Sequence, residues 1–169
     1  LYDVVMDNNL VYALYEQEGM ARTMVYDLNT LAVIRETLPI PVYGSARAES
    51  AIFLDEDYLY EVIKSTDNNC IRKINLQTFE IEQIKQLPNK ISNAIMVHEY
   101  IYVGVRQDTD KKVHIINKGT LNLAFELILD DYVSNPNLHI LAADDSQLYI
   151  IISGYKSPGL NHLGAIYNI

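Results

Sequence analysis

Residues 24–30 read MVYDLNT, an apolar run that ends on Asp27 and passes at once into Leu-Asn-Thr. Residues 72–78 (RKINLQT) and 114–120 (HIINKGT) repeat the order of a strand-like segment, an Asp or Asn, two further residues and a threonine. The Asp or Asn side chain can accept backbone N–H groups within such a turn, and the threonine can close it. Each segment therefore predicts a tight turn between two antiparallel strands.

A tyrosine in an apolar strand precedes each of these turns, and the same arrangement occurs a fourth time. The tyrosines are Tyr12, Tyr60, Tyr102 and Tyr149, with spacings of 48, 42 and 47 residues. Another apolar run lies before each tyrosine, and a fourth strand follows each of the three turns. Over residues 79–82 apolar and glutamate residues alternate, which is the period of a half-buried strand. The chain thus repeats a set of short strands.

Four short strands in a period of roughly 40–50 residues are typical of a β-propeller blade. We predict an all-β chain of about four four-stranded blades, at approximately residues 1–39, 50–88, 93–130 and 138–169. A helical repeat is disfavoured because no window keeps the helical spacing of apolar residues, whereas a β-sandwich or barrel stays open. The last blade lacks its outer strand, so we expect a partial propeller. It would belong to a ring of roughly six to eight blades or be completed by another chain.

The order of apolar strand, tight turn, Leu-Tyr strand, loop and Val-Tyr-Asp-Leu-Asn-Thr resembles the repeats of YVTN-like and quinoprotein-like propellers. Residues 25–30, 74–78 and 116–120 carry this resemblance, which extends over the whole chain at the level of the fold. The chain contains no tryptophan, so the tryptophan docking motif of the quinoprotein dehydrogenases is absent. The Trp-Asp pair of WD40 repeats and the double glycine of kelch repeats are absent as well. The resemblance implies a propeller fold and carries over no functional residue.

The composition restricts the classes of partner. The net charge is −9 and the 13 Lys and Arg residues are scattered, whereas nucleic-acid binding needs a clustered basic surface. The longest apolar stretch, residues 148–152, is too short to span a bilayer. We therefore expect neither nucleic-acid binding nor membrane insertion. The single cysteine, Cys70, is predicted to be a buried residue at the start of a strand. The compartment stays open, with an extracellular or surface location weakly favoured over the cytoplasm.

The connections between the predicted strands fall into a tight set and a long set. The long set comprises residues 16–23, 64–69, 106–112 and 154–162 between second and third strands, and residues 39–49 and 130–137 between blades. In a propeller these connections share one face, and recognition residues concentrate in loops. We therefore predict that this face binds a protein or a glycan. The candidate binding residues are Tyr43, Arg47, Glu49, Lys90, Asn93, Arg106, Asp108, Asp110, Asp131, Tyr132, Asn135, Asn137, Tyr155 and His162.

The sequence contains no recognisable catalytic or metal-binding motif. Its four histidines share no ligand spacing, so a zinc site is disfavoured. The acidic pairs near residues 55, 108, 130 and 144 lack the pattern of a calcium loop. Neither a nucleophile elbow nor a glycine-rich phosphate loop is present. We predict no catalytic residue and no cofactor, with calcium as a weak alternative.

These observations favour a non-catalytic binding scaffold, with an adhesin on a cell or virion surface as one form of it. Two alternatives stay open. The first is a lactonase-like or hydrolase-like propeller enzyme, whose pocket at the channel mouth would bring together polar residues near Asn93 and His139. The second is an intracellular platform for protein assembly.

Overall fold

The computed structural model of the chain consists of β-strands and their connections. It describes residues 1–43, 50–87, 90–107, 110–129, 134–143, 147–156 and 159–168, with only the backbone at residues 90, 106–107, 110–111, 129, 134–143, 148, 150–156 and 159–168. The strands are β1 (Asp3–Asp7), β2 (Leu10–Gln17), β3 (Met20–Asp27), β4 (Val33–Glu36), β5 (Ile40–Pro41), β6 (Ala51–Leu54), β7 (Tyr58–Ile63), β8 (Cys70–Asn75), β9 (Ile81–Gln86), β10 (Lys90–Val97), β11 (Tyr100–Gln107), β12 (Asp110–Asn117), β13 (Leu123–Leu129), β14 (Ser134–Ala143), β15 (Gln147–Lys156) and β16 (Gly159–Asn168). The all-β prediction is confirmed.

The strands form four antiparallel sheets in the order of the chain. Sheet A contains β1 to β4, sheet B β6 to β9, sheet C β10 to β13 and sheet D β14 to β16. Within each sheet, strands that follow each other in sequence are paired, as predicted for propeller blades, and sheet D has three strands. The short strand β5 was not predicted from the sequence. It pairs with β3, opposite Met20 and Ala21.

The chain divides into two compact units, residues 1–87 with sheets A and B and residues 88–169 with sheets C and D. In the first unit the hydrophobic core lies between its two sheets. Sheet A contributes one face, here called its front face, with Tyr12 and Leu14 at 5% and 0% exposed, and sheet B contributes Leu59 at 0%. Buried and less buried residues alternate along β2 and β3 because successive side chains point to opposite faces.

The repeated tyrosines occupy equivalent places, each on the second strand of its sheet. Tyr12, Tyr60 and Tyr102 are 5%, 1% and 4% exposed, which confirms the predicted packing role. Burial raises the pKa of the Tyr12 and Tyr102 phenols above the usual range. Tyr149 lies at the same place in sheet D and is only partly buried.

The turns after β3, β8 and β12 share one geometry. In the first, Oδ1 of Asp27 accepts the backbone N–H groups of Asn29 at 2.9 Å and Thr30 at 2.8 Å, and the Thr30 hydroxyl at 3.1 Å. Asn75 and Asn117 accept corresponding bonds from the turn residues that follow them. The bonds from Thr30 hold the pKa of the Asp27 carboxyl below its usual range. The turn chemistry predicted from the sequence is thus confirmed.

Each of these turns is also tied to the turn between the first two strands of its own sheet. The backbone N–H groups of Leu28, Leu76 and Lys118 donate to the carbonyls of Asn9 (2.8 Å), Asp57 (2.9 Å) and Glu99 (2.9 Å), respectively. The two turns therefore form a single ordered end of each of sheets A, B and C, which we call the turn end.

The residue after each turn threonine has a positive φ although it is not glycine: Leu31 at 56°, Phe79 at 63° and Leu121 at 52°. For a residue with a Cβ this conformation costs about 1–2 kcal/mol. Glycine would avoid that cost but loses about 0.5–1 kcal/mol more backbone entropy on folding. Whether a glycine variant is more or less stable therefore depends on how deeply the removed side chain is buried. Leu31 is 72% exposed, whereas Leu121 is 3% exposed.

We expect Leu31→Gly to raise the free energy of unfolding by up to about 1 kcal/mol, because its side chain buries little surface. Leu121→Gly should lower it by about 2 kcal/mol or more, because a buried leucine is lost. Urea unfolding of the two variants beside the wild-type protein measures both effects. Changes of the same sign in the two variants would contradict this interpretation of the turn.

Three of the connections predicted to be long loops are short hairpins. Strand β2 continues to Gln17 and β3 begins at Met20, so the predicted loop 16–23 reduces to Glu18 and Gly19. Their φ values of 55° and 75° are both positive, as a type I′ hairpin turn requires. The predicted loops 106–112 and 154–162 are likewise mostly strand, with two residues between the paired strands. These segments are polar, and polar strand ends cannot be told from loops by composition. The 64–69 connection between β7 and β8 has its predicted length.

Candidate binding site

The end of the first unit opposite its turn end holds the longer connections, and we call it the loop end. It comprises the Glu18–Gly19 turn, residues 37–43 after β4, and the loop of residues 64–69 between β7 and β8. Within that loop Asn69 Oδ1 accepts the Ser65 N–H at 3.0 Å, and the Asn69 carbonyl accepts the Leu87 N–H at 2.8 Å. The loop end is therefore held by its own hydrogen bonds.

Residues 37–43, TLPIPVY, form an extended segment at the loop end, which we call the ridge. Val42 is buried at 6%, whereas Leu38 is 71% exposed and Tyr43 is 59% exposed. The two prolines of the ridge restrict its backbone because proline fixes φ near −65°. Part of the ridge is the strand β5, which pairs with β3. The ridge thus presents large apolar side chains to solvent from a constrained backbone.

Hydrogen bonds fix the backbone at Tyr43. Its N–H donates to Ser65 Oγ at 2.9 Å, and its carbonyl accepts both the N–H of Thr66 at 2.9 Å and the Thr66 hydroxyl at 2.7 Å. The N–H of the preceding residue, Val42, donates to the Gly19 carbonyl at 2.9 Å. The exposed tyrosine ring therefore projects from a position whose backbone polar groups are already paired.

The backbone at Leu38 is fixed by a buried polar network. Nη1 of Arg72 donates to the Leu38 carbonyl at 2.5 Å. Arg72 and its ion-pair partner Glu61 are 2% and 0% exposed. Thr37 Oγ1 donates to Glu61 Oε1 at 2.9 Å and accepts the Thr23 N–H at 2.9 Å. Because these residues come from both sheets, the network joins sheets A and B directly at the ridge.

Two of the residues predicted to bind are described with their side chains. Tyr43 lies on the ridge, and Asn93 lies where the register of β10 shifts between Ile91 and Ala94. Arg47, Glu49, Asp108, Asp131 and Tyr132 lie outside the described residues. Tyr43 is thus the predicted residue that the structure brings together with the 64–69 loop.

Eight candidates were expected in loops, and that placement is wrong. The structure places them in strands: Lys90 and Asn93 in β10, Arg106 in β11, Asp110 in β12, Asn135 and Asn137 in β14, Tyr155 in β15 and His162 in β16. The physical reason is cross-strand pairing, which overrides the weak strand preference of Asn, Asp and Lys. The ladders of β10 and β14 also continue through register shifts near these residues. A binding role for the eight residues stays a prediction.

Leu38 was missed by the sequence interpretation, which assigned it to the outer strand of the first blade. Strand β4 ends at Glu36, and Leu38 lies beyond it. A signal was present in the sequence, because Pro39 and Pro41 follow and a proline has no N–H to donate to a ladder. A leucine at that point therefore leaves the sheet and becomes exposed.

A shallow open cavity of about 490 Å³ lies at the turn end of sheet B. It is lined by Glu56, Asp57, Tyr58, Asn75, Leu76 and Gln77. Glu82 beside Tyr58 raises the pKa of that phenol. Arg35 donates to the carbonyls of Leu76 at 3.2 Å and Gln77 at 2.9 Å. The turn that lines the cavity is thus held by hydrogen bonds within the protein.

The described residues offer few groups for other chemistry. Within them, no three His, Cys, Asp or Glu side chains come together in a way that could hold a metal ion. In the same ranges, no helix has the length and apolar character to cross a membrane. Cys70 begins β8 and is fully buried, as predicted, and burial raises the pKa of its thiol to about 11.

No family model and no curated protein matches this sequence, but several solved structures do. A chain of Kuenenia stuttgartiensis hydrazine synthase has a TM-score of 0.62 at 11% identity, over 99% of this chain and 52% of that one. The Dos1 propeller has a TM-score of 0.58 at 10% identity, over 86% of this chain and 40% of that one. KlAtg21, solved with the coiled coil of AgAtg16, has a TM-score of 0.54 at 11% identity, over 92% of this chain and 48% of that one.

These similarities and the four sequential sheets show the fold of the chain, which is that of β-propeller blades. The chain spans 40% to 52% of the lengths of the three structures.

Proposed function

We propose that the protein is a binding scaffold that recognises a protein partner through the ridge at the loop end of its first unit. The observation that carries the proposal is the pair of exposed side chains, Leu38 and Tyr43, on a backbone fixed at both positions. Large apolar side chains of this kind are frequent anchors of protein interfaces. A backbone that is already ordered loses less conformational entropy when a partner binds.

The chemistry of the ridge fits a protein better than a glycan. Leucine offers no hydrogen bond, and the backbone groups of Tyr43 are already bonded within the protein, so few polar groups are left for sugar hydroxyls. Glu18 and Asp67 are exposed at the same end, which favours a partner with basic groups around an apolar contact. A glycan ligand and an adhesin role at a cell or virion surface stay predictions from the sequence.

A structural similarity supports the proposal at the level of the fold. KlAtg21 was solved in a complex with the coiled coil of AgAtg16, so a propeller of similar fold binds another protein there. An apolar ridge with acidic neighbours suits contact with an amphipathic protein surface of that general kind.

The test compares the wild-type chain with Leu38→Asp and Tyr43→Ala in a capture experiment. Proteins retained by the wild type and lost with both variants are identified, and the affinity of each purified candidate is measured by calorimetry. Loss of an interface anchor costs about 2 kcal/mol or more, so each variant should weaken binding by about 30-fold or more.

Leu31→Asp is the matched control. Leu31 is 72% exposed and Leu38 is 71% exposed, but Leu31 lies at the turn end of the same sheet. Aspartate tolerates the positive φ of this position, so the control should fold and bind within about twofold of the wild type. Equal losses with Leu31→Asp and Leu38→Asp, or full binding by both ridge variants, would refute the proposal.

A further inference from the structure

The ridge exposes every second residue along its proline segment. Pro39, Pro41 and Tyr43 are exposed, whereas Val42 is buried and Ile40 is partly buried. Successive side chains of an extended chain point to opposite sides, so the three exposed rings lie on one side of the ridge. At about 3.3 Å per residue, neighbouring rings of this row are about 6–7 Å apart along the chain. The solvent-facing side of the ridge is therefore a row of two proline rings and one tyrosine ring.

The edge of the ridge that points away from β3 has no backbone donor at its prolines. The N–H of Val42 donates to the Gly19 carbonyl at 2.9 Å, which continues the pairing of β5 with β3. Since N–H groups alternate between the two edges of a strand, the two prolines belong to the opposite edge, where proline has nothing to donate. The N–H of Tyr43 on that edge is already bonded to Ser65 Oγ at 2.9 Å. The ridge is thus unsuited to the addition of a partner strand, and its exposed rings supply the contact instead.

The row of rings is held in place at both of its ends. The Leu38 carbonyl accepts Nη1 of Arg72, and the Tyr43 carbonyl accepts the N–H of Thr66 at 2.9 Å. Between these two points the prolines restrict the backbone because their φ is fixed. Extended proline segments that are already ordered bind at a low cost in entropy, and the grooves that recognise them are lined by aromatic side chains.

We propose that the partner contacts the ridge through a groove lined by aromatic side chains, of the class that WW domains provide for proline-containing segments. The inference rests on the proposed function, since it names the partner surface for the same site. The two proline rings pack against aromatic faces of the groove, and Tyr43 adds a third ring contact. Glu18 and Asp67 are exposed at the same end, so basic residues at the rim of the groove complement them.

The experiment titrates the purified chain with an isolated WW domain and measures binding by calorimetry. We expect binding that saturates below roughly 1 mM. Pro39→Val and Pro41→Val keep an apolar side chain and an extended backbone, since valine favours strands, but they remove the ring. Each should weaken binding by about 10-fold or more.

Ile84→Val is the matched control for the two proline variants. Ile84 lies in strand β9 of the same unit and is 54% exposed, so the control also puts valine in place of an exposed apolar residue in an extended segment. It should bind within about twofold of the wild type. Circular dichroism and urea unfolding show whether each variant is folded, and alanine replaces valine at a proline position where it is not.

Calorimetry with the partners retained in the capture experiment separates this inference from the proposed function. A partner that binds Pro39→Val and Pro41→Val as tightly as the wild type, but is lost with Leu38→Asp and Tyr43→Ala, would overturn the aromatic groove and leave the ridge as the binding site. A WW domain that shows no binding at about 1 mM would overturn the inference as well. Full binding of the captured partners by all four variants would refute both the inference and the proposed function.

Discussion

The Arg72→Met variant is expected to lose about 3–5 kcal/mol of unfolding free energy, as found when one partner of a buried ion pair is removed. Arg72 is 2% exposed and donates through Nε to Glu61 Oε2 at 2.5 Å and through Nη1 to the Leu38 carbonyl at 2.5 Å. Methionine fills much of the same volume but supplies no donor. Among the described residues, the Glu61 carboxylate, which is 0% exposed, would then keep only its bond from Thr37. Urea unfolding followed by circular dichroism measures the loss.

Two companion variants separate charge from packing. The double variant Glu61→Leu/Arg72→Met removes both charges, so it should be less destabilised than the sum of the two single variants. Thr23→Val is the control within the same network, because the buried Thr23 hydroxyl has no hydrogen bond among the described residues while its N–H bonds Thr37. Replacing that hydroxyl by a methyl group should leave the stability within about 1 kcal/mol or raise it. A loss below about 1 kcal/mol in Arg72→Met would show that the Arg72 network adds little to the contact between the two sheets.

The same network connects stability to the proposed function. Arg72 holds the carbonyl of Leu38, and Leu38 is one of the two exposed anchors of the ridge. In a folded Arg72→Met protein the ridge should therefore be less ordered, and partner binding should weaken although Arg72 itself is buried and touches no partner. Binding measured well below the unfolding transition tests this link.

The blade pattern could be predicted because it rests on local chemistry. The side-chain bonds of Asp27 and its equivalents Asn75 and Asn117 join residues two or three positions apart, so the sequence alone contains both partners. The burial of Tyr12 follows from its place in an apolar strand. These local signals are sufficient to set the strand order within each sheet.

The strand ends and the buried network depend on partners distant in sequence. Thr37 is hydrogen-bonded to Glu61, which is 24 residues away in the sequence, and to Arg72, which is 35 residues away. Neither spacing forms a pattern that can be recognised in the sequence. A charged pair such as Glu61 and Arg72 is taken for a solvated surface pair when burial is unknown. Tyr43 was found because it lies in a predicted connection between blades, where recognition residues concentrate, whereas Leu38 looked like one more strand residue.

Cys70 offers a direct measure of how the two sheets of the first unit hold together. Its thiol is 0% exposed at the start of β8, and burial raises its pKa from 9.0 to about 11. At pH 8 the thiolate fraction in the folded protein is then about 100-fold lower than in the unfolded chain, and the reagent has no access to it. We expect the folded protein to react with a thiol reagent at least about 1000-fold more slowly than the unfolded chain.

The rate at which Cys70 is labelled should also depend on the buried ion pair of Glu61 and Arg72. Reaction at Cys70 requires an opening that exposes the core between sheets A and B, and such openings become more frequent as the unit is destabilised. A loss of about 3–5 kcal/mol in Arg72→Met corresponds to roughly 100-fold faster labelling or more. Thr23→Val should label no more than about fivefold faster than the wild type. Fast labelling of the folded wild type would contradict the burial of Cys70. Equal rates in Arg72→Met and the wild type would show that the thiol is reached by a local opening of β8 that does not separate the sheets.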